Sequence, residues 1–159
     1  MDTMTHYMGL LVANQPWNLI IFMAIPVIAA ETIAVTELIV LFSRNFSGTA
    51  RKINRITGMV AGLYFLGIFI YLGLNAVIPI TASGAWRGAA DVIAVGFYLL
   101  GVVPLLGISL LEMGVLGNKE RPERNLKLHA TFVGLFLIVA HIAMIFGMLN
   151  PAILMSGSA

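Results

Sequence analysis

Four stretches of more than twenty mostly apolar residues occupy most of the chain, at 17–42, 56–80, 89–113 and 128–150. Roughly 20 apolar residues is what an α-helix needs to cross the hydrocarbon core of a bilayer. Inside lipid every backbone N–H and C=O must find a partner within the protein, so continuous spans of this length are helices. The period-two alternation of barrel strands is absent. Only 10% of the residues are charged and the mean hydropathy is +0.98, whereas a soluble domain carries about 25% charged residues. The expected fold is an all-α membrane protein, a single domain over residues 1–159 built from four transmembrane helices. Pro16 precedes the first span, Pro79 closes the second and Pro151 closes the fourth. Pro26 and Pro104 lie inside spans one and three, where each removes a hydrogen bond and is expected to kink its helix.

The few charges fix an orientation. Arg44, Arg51, Lys52 and Arg55 lie between spans one and two. Lys119, Arg121, Arg124 and Lys127 lie between spans three and four, together with Glu120 and Glu123. Arg87 alone lies between spans two and three, and neither terminus carries a Lys or Arg. By the positive-inside rule the two basic loops face the cytoplasm of a bacterial-type inner membrane and both termini face outward. Trp17 and Trp86 then sit at the outer interface, where indoles concentrate. The pI of 9.2 therefore reflects membrane orientation, not a nucleic-acid partner. The N-terminus lacks the basic n-region and the cleavage site of a secretory signal, so the first span is expected to be retained. The absence of cysteine excludes disulfides, thiolate-ligated metals and thiol redox chemistry.

Sliding the chain by 75 positions lays span one on span three and span two on span four. Glu37 then falls on Glu112, Lys52 on Lys127 and Asn75 on Asn150, with Phe22 on Phe97, Val40 on Val115, Leu41 on Leu116 and Leu74 on Leu149. Two tandem helical hairpins related by a pseudo-two-fold along the membrane normal produce such a pattern, with Glu37 and Glu112 as symmetry mates. Any two apolar hairpins share leucines at some offset, so the polar coincidences carry the idea. Gly58-x-x-x-Gly62 in span two marks a place where helix backbones approach closely.

Function narrows to the ionisable residues within the spans, since an acid at mid-membrane costs about 2.5–3.5 kcal/mol on insertion scales and is a functional candidate by default. These are Glu31, Glu37, Glu112, His129 and His141, with Asp91 near the outer end of span three and His6 at or beyond the outer interface. Counting from Phe42 and Leu128, Glu31 lies roughly 16 Å and His141 roughly 20 Å from the cytoplasmic ends of their spans, which predicts a mid-membrane pair. Glu37, Glu112 and His129 gather near the cytoplasmic end on three helices. His129 and His141 are about 120° apart around their helix and roughly 18 Å apart along it, so they cannot share one metal or haem.

Three readings follow. The acids and histidines form a proton or cation pathway in a permease-type carrier, with Glu31 and His141 exchanging protons with Glu37, Glu112 and His129. Alternatively Glu37, Glu112 and His129 ligate a divalent transition metal, although the Glu-x-x-His spacing of di-iron bundles is missing. In the third reading the chain is an anchor or electron-transfer subunit holding haem b or quinone, with a partner subunit, a Met or a carboxylate supplying the second axial ligand. A homo-oligomer or a larger membrane complex is expected, because four helices per chain leave much lipid-facing surface. Hydrolase motifs are absent. The stretches Thr5-His6-Tyr7-Met8, Asn14-Gln15-Pro16-Trp17-Asn18-Leu19, Ala30-Glu31-Thr32 and Thr36-Glu37-Leu38 resemble small uncharacterised bacterial membrane proteins described as permease-like. That resemblance covers mainly the first third of the chain and implies a multi-pass protein; no site residue is taken from it.

Overall fold

A computed structural model describes residues 4–117 and 122–154. Four of its helices are long and apolar enough to cross a membrane: Trp17–Ser43, Thr49–Ser83, Ala89–Glu112 and Glu123–Met148, here spans one to four. Among the described residues there is no strand. Spans one, three and four match the apolar stretches closely. Span two is longer than its apolar stretch at both ends, 35 residues against 25. Its first turns, which carry Arg51, Lys52 and Arg55, are polar and so lie outside what hydropathy detects, and at 1.5 Å per residue the helix reaches about 52 Å, well beyond a 30 Å hydrocarbon core.

Pro79 does not close span two, contrary to the sequence expectation. A π turn at Gly73–Val77 precedes it and the helix resumes at Ile78–Ser83 with Pro79 in its first turn. Span one uses the same arrangement: a π turn at Ile20–Ala24 and then Pro26 in the first turn of Ile25–Ser43. The wider turn makes room for a ring that lacks an N–H and would otherwise strike the carbonyl four residues back. In span one that carbonyl belongs to Phe22, and Tyr98 of span three donates its hydroxyl to it at 2.5 Å. Tyr64 of span two donates to the neighbouring Ile21 carbonyl at 2.9 Å. In span two the Asn75 amide donates to the Tyr71 carbonyl at 2.8 Å. Span three is interrupted at Gly101, within the turn that Pro104 deprives of its donor.

Consecutive spans adjoin, and spans one and four close the ring through much sparser contact than spans two and three share. Glycine explains the difference. A Cβ at Gly62 would overlap the Leu105 carbonyl oxygen and the Ser109 Cβ, and one at Gly58 would stand 2.8 Å from Ile108 Cγ2. Spans two and three therefore meet backbone to backbone, as the Gly58-x-x-x-Gly62 spacing predicts, and Ser109 fastens the crossing by donating to the Met59 carbonyl at 2.9 Å. At the offset of 75 residues, Val133 and Leu137 stand on span four where span two has Gly58 and Gly62. Phe65, Tyr98, Phe136 and Ile33 fill the middle of the bundle. Gly62→Val is expected to lower stability by about 3 kcal/mol or more, through overpacking against backbone that cannot yield. The same substitution at Gly67, where a Cβ meets nothing within 4 Å, should change the thermal midpoint in detergent little.

Candidate functional site

At the end of the bundle that carries the basic loops, polar side chains from all four spans join in a circuit. His129 of span four places Nδ1 at 2.8 Å from Glu37 Oε2 of span one, and Nε2 at 3.2 Å from Glu112 Oε1 of span three. Arg51 of span two grips the same Glu112 with both arms of its guanidinium, Nη1 to Oε1 at 2.6 Å and Nη2 to Oε2 at 2.8 Å. Nη1 also donates to Asn54 Oδ1 at 2.9 Å. The Asn54 amide donates in turn to the Ile33 carbonyl and to Thr36 Oγ1, both at 3.0 Å, which returns the circuit to span one beside Glu37. Gly58 adjoins the cluster: a Cβ there would make ordinary contact with Glu112 Cγ at 3.6 Å and His129 Nε2 at 3.8 Å.

The cluster is dry. Glu37 is 3%, Glu112 5% and His129 2% exposed, and Asn54 is fully buried. Two carboxylates against one guanidinium leave one negative charge, which a second proton on the His129 ring cancels. An imidazole donates to acceptors on both sides only when both nitrogens carry hydrogen. The contacts to His129 lie at ion-pair distance, but their directions are poor. Both Glu37 oxygens and both ring nitrogens are buried without a well-aligned hydrogen bond. Buried polar atoms are nearly always satisfied, so four such atoms on adjoining side chains single this cluster out within the bundle.

Of the sequence-predicted residues, Glu37, Glu112 and His129 come together and Glu31 and His141 do not. Glu31 and His141 are exposed on the outside of the bundle, and Glu31 has no hydrogen bond or ion pair among the described residues. The predicted mid-membrane pair is thereby corrected. The contact between Glu37 and His129 sets the two helices level, which places Glu31 about 9 Å and His141 about 18 Å above it. Counting from Phe42 and Leu128 had treated those residues as equally deep, whereas Leu128 stands one residue below the contact and Phe42 five. The metal reading of Glu37, Glu112 and His129 is corrected as well. The imidazole lies between the carboxylates with one nitrogen toward each, so the three do not converge on a point, and among the described residues no group of three acids or histidines is placed to hold a metal ion. Lys119, Glu120 and Arg121 of the basic loop lie outside the described residues.

A second polar knot closes the opposite end. The short helix His6–Val12 lies against spans three and four. Asp91, fully buried, accepts from the His6 backbone N–H at 2.6 Å and faces His6 Nδ1 at 2.5 Å. It also accepts from the Arg87 backbone N–H at 3.2 Å, while the Arg87 side chain donates to the Met4 carbonyl at 2.6 Å. Thr5 donates to the Gly147 carbonyl at 2.7 Å. Burial beneath this segment pushes the Tyr7 hydroxyl pKa up. These contacts fasten the N-terminal segment over the bundle and give Asp91 a structural role.

Sequence reasoning missed Arg51, Asn54 and Thr36. Arg51 read as one of several loop cations, and only the fold shows that its helix begins early enough to aim it inward. Asn54 carried a usable signal: it stands seventy-five positions before His129, the offset that relates Glu37 to Glu112. His129 stands beside Glu37 of the other hairpin, whereas Asn54 bonds to Ile33 and Thr36 of its own hairpin and is joined to Glu112 through Arg51.

A family model matches residues 1–159 from end to end. The chain belongs to DUF6803. That family is one of unknown function, so membership supplies no chemistry to the Glu37–His129–Glu112 cluster. Comparisons with curated proteins and with solved structures found no match. The two basic residues that open span two test the geometry directly. Arg51→Met leaves Glu112 buried beside Glu37 with its guanidinium gone and should destabilise the protein by about 3–5 kcal/mol. Lys52→Met, at an exposed neighbouring position, should stay within about 0.5 kcal/mol, as measured by thermal unfolding of the purified protein in detergent.

Proposed function

We propose that this DUF6803 chain is a proton-linked membrane carrier whose exchangeable proton is held by Glu37, His129 and Glu112. One observation carries the reading: a buried imidazole stands between carboxylates from two other helices, one of them already neutralised by an arginine. A ring in that position takes a proton on one nitrogen and releases it from the other, and so passes charge between two acids without leaving its place. Glu112 and Arg51 border the open cavity at the basic end, which supports entry there, whereas Glu37 is enclosed. The next ionisable group toward the opposite end, Glu31, is turned about 120° away on the same helix. That interruption suits a carrier that changes conformation better than a continuous channel, and Pro26 and the two π turns are where the helices are softest.

The excess of basic residues at one end supports placing that end in the cytoplasm of a bacterial-type inner membrane, with both termini outside. Glu31 and His141, outward-facing within lipid-length helices, support coverage by a second copy or another subunit, since neither group is at ease against acyl chains.

A cofactor-bearing subunit is the second reading, and one observation favours it. His141 Nδ1 lies 2.6 Å from the Leu137 carbonyl, the turn below on its own helix. A ring held so presents Nε2 outward to a haem iron or a divalent metal shared with a neighbour.

The readings separate in two measurements. In proteoliposomes containing a pH dye, an imposed membrane potential is expected to drive proton entry faster than in protein-free liposomes. Glu37→Gln should slow that entry about tenfold or more, and Glu31→Gln should leave it largely intact. Wild-type entry no faster than in protein-free liposomes, with small anions and cations supplied in turn, would overturn the carrier. A Soret band or stoichiometric metal in the purified protein, lost in His141→Ala, would put the cofactor reading in its place.

A further inference from the structure

The basic end holds a cavity of about 420 Å³, the one on which Glu112 and Arg51 of the proton circuit border. Arg51, Lys52 and Arg55 line it together with Ser47, Asn125 and Glu112, and three apolar side chains and two glycines make up the other described walls. Three positive side chains thus surround one opening. Lys52 and Arg55 are exposed and make no hydrogen bond or ion pair among the described residues. The helix that carries them begins at the cavity with no side-chain cap and no acid in its first turn, so its free N–H groups and the positive end of its dipole add to the same field. Among the described residues that line the opening, the one acid, Glu112, is held by His129 as well as by Arg51.

We propose that this cavity binds a small oxyanion of the phosphate type, either free or as the headgroup of an anionic lipid. A tetrahedral oxyanion offers several acceptor oxygens to three cations arriving from one helix, and the planar fork of Arg51 suits it as well as it suits a carboxylate. The cavity lies where the polar start of span two leaves the hydrocarbon region, a depth that both a dissolved anion and a lipid phosphate reach. Bound there, the oxyanion competes with Glu112 for Arg51. Glu112, released from its guanidinium beside Glu37, restores the balance by taking one proton from the medium through the His129 circuit. This coupling of one anion to one proton rests on the proton-carrier reading above; the binding site itself does not.

The test uses the full chain purified in dodecyl maltoside, titrated calorimetrically with sodium phosphate against sodium chloride of equal ionic strength. Phosphate is expected to bind, and Lys52→Gln with Arg55→Gln to weaken it about tenfold or more for each cation removed. Both positions are solvent-exposed, so the variants should fold. A repeat in nanodiscs separates the sources. Phosphate binding that persists in zwitterionic lipid and disappears in phosphatidylglycerol assigns the site to a headgroup, and binding that persists in both assigns it to the free anion. No phosphate binding in micelles or in zwitterionic nanodiscs, or binding unchanged in the double variant, overturns the proposal. Titration in two buffers of different ionisation enthalpy reads the proton. Uptake of a proton on binding, absent in Glu37→Gln, supports the coupling; binding without uptake leaves the anion site standing and removes the coupling.

Discussion

His129, held between two acids inside an apolar bundle, is the interaction on which the rest of the structure turns. Lipid tails are as apolar as leucine, so helices in a membrane gain little by hiding their apolar faces from one another. What draws them together is close packing and polar contact. Here the polar contact is concentrated in one layer, where Glu37, Arg51, Glu112 and His129 each come from a different span. Removing any member strands a buried charge, so the layer fixes the relative height and rotation of all four helices. That is why the outward positions of Glu31 and His141 follow once Glu37 and His129 are in contact: each lies about 120° around its helix from a residue that must point inward.

The two hairpins use similar sequences for different ends. Asn54 and His129 stand 75 residues apart, as do Glu37 and Glu112. Asn54 bonds to span one as a neutral amide, and Arg51 joins it to Glu112 with a bidentate pair. The corresponding place on span four offers a titratable ring to Glu37 and no arginine; the residue at the offset from Arg51 is Leu126. One half of the layer is thus locked by a permanent cation and the other depends on a removable proton. Packing follows the same division. Gly58 and Gly62 bring spans two and three into backbone contact, whereas spans one and four meet sparsely. The sparser seam, between spans one and four, is also the one that the contact between Glu37 and His129 bridges.

Prolines in spans one and two illustrate how such a bundle keeps its backbone satisfied. Each π turn exposes carbonyls that lipid cannot hydrate. The Tyr98 and Tyr64 hydroxyls and the Asn75 amide supply the missing donors. Tyrosine suits this work because its ring fills apolar space while its tip carries the hydroxyl. The tyrosine bonds also tie span one to spans two and three at its bend, about 22 Å along the helix from Glu37, so a shift of span one is resisted there as well as at the charged layer.

Much of this protein was legible from one sequence. Runs of apolar residues determined that there are four spanning helices and roughly where they lie, because the length of a helix and the thickness of lipid are both fixed by physics. The same runs isolated Glu37, Glu112 and His129 as acids and imidazole too costly to be incidental, and their distance from the ends of the spans placed them in one layer. Rotation was beyond reach. Whether Glu31 faces His141 or the lipid, whether Arg51 belongs to a loop or to the core, and whether three polar groups converge on an ion or line up as a relay all depend on how the helices turn and slide against one another. Contacts between residues far apart in the chain set those few degrees and ångströms, and only the folded bundle brings the contacts into being.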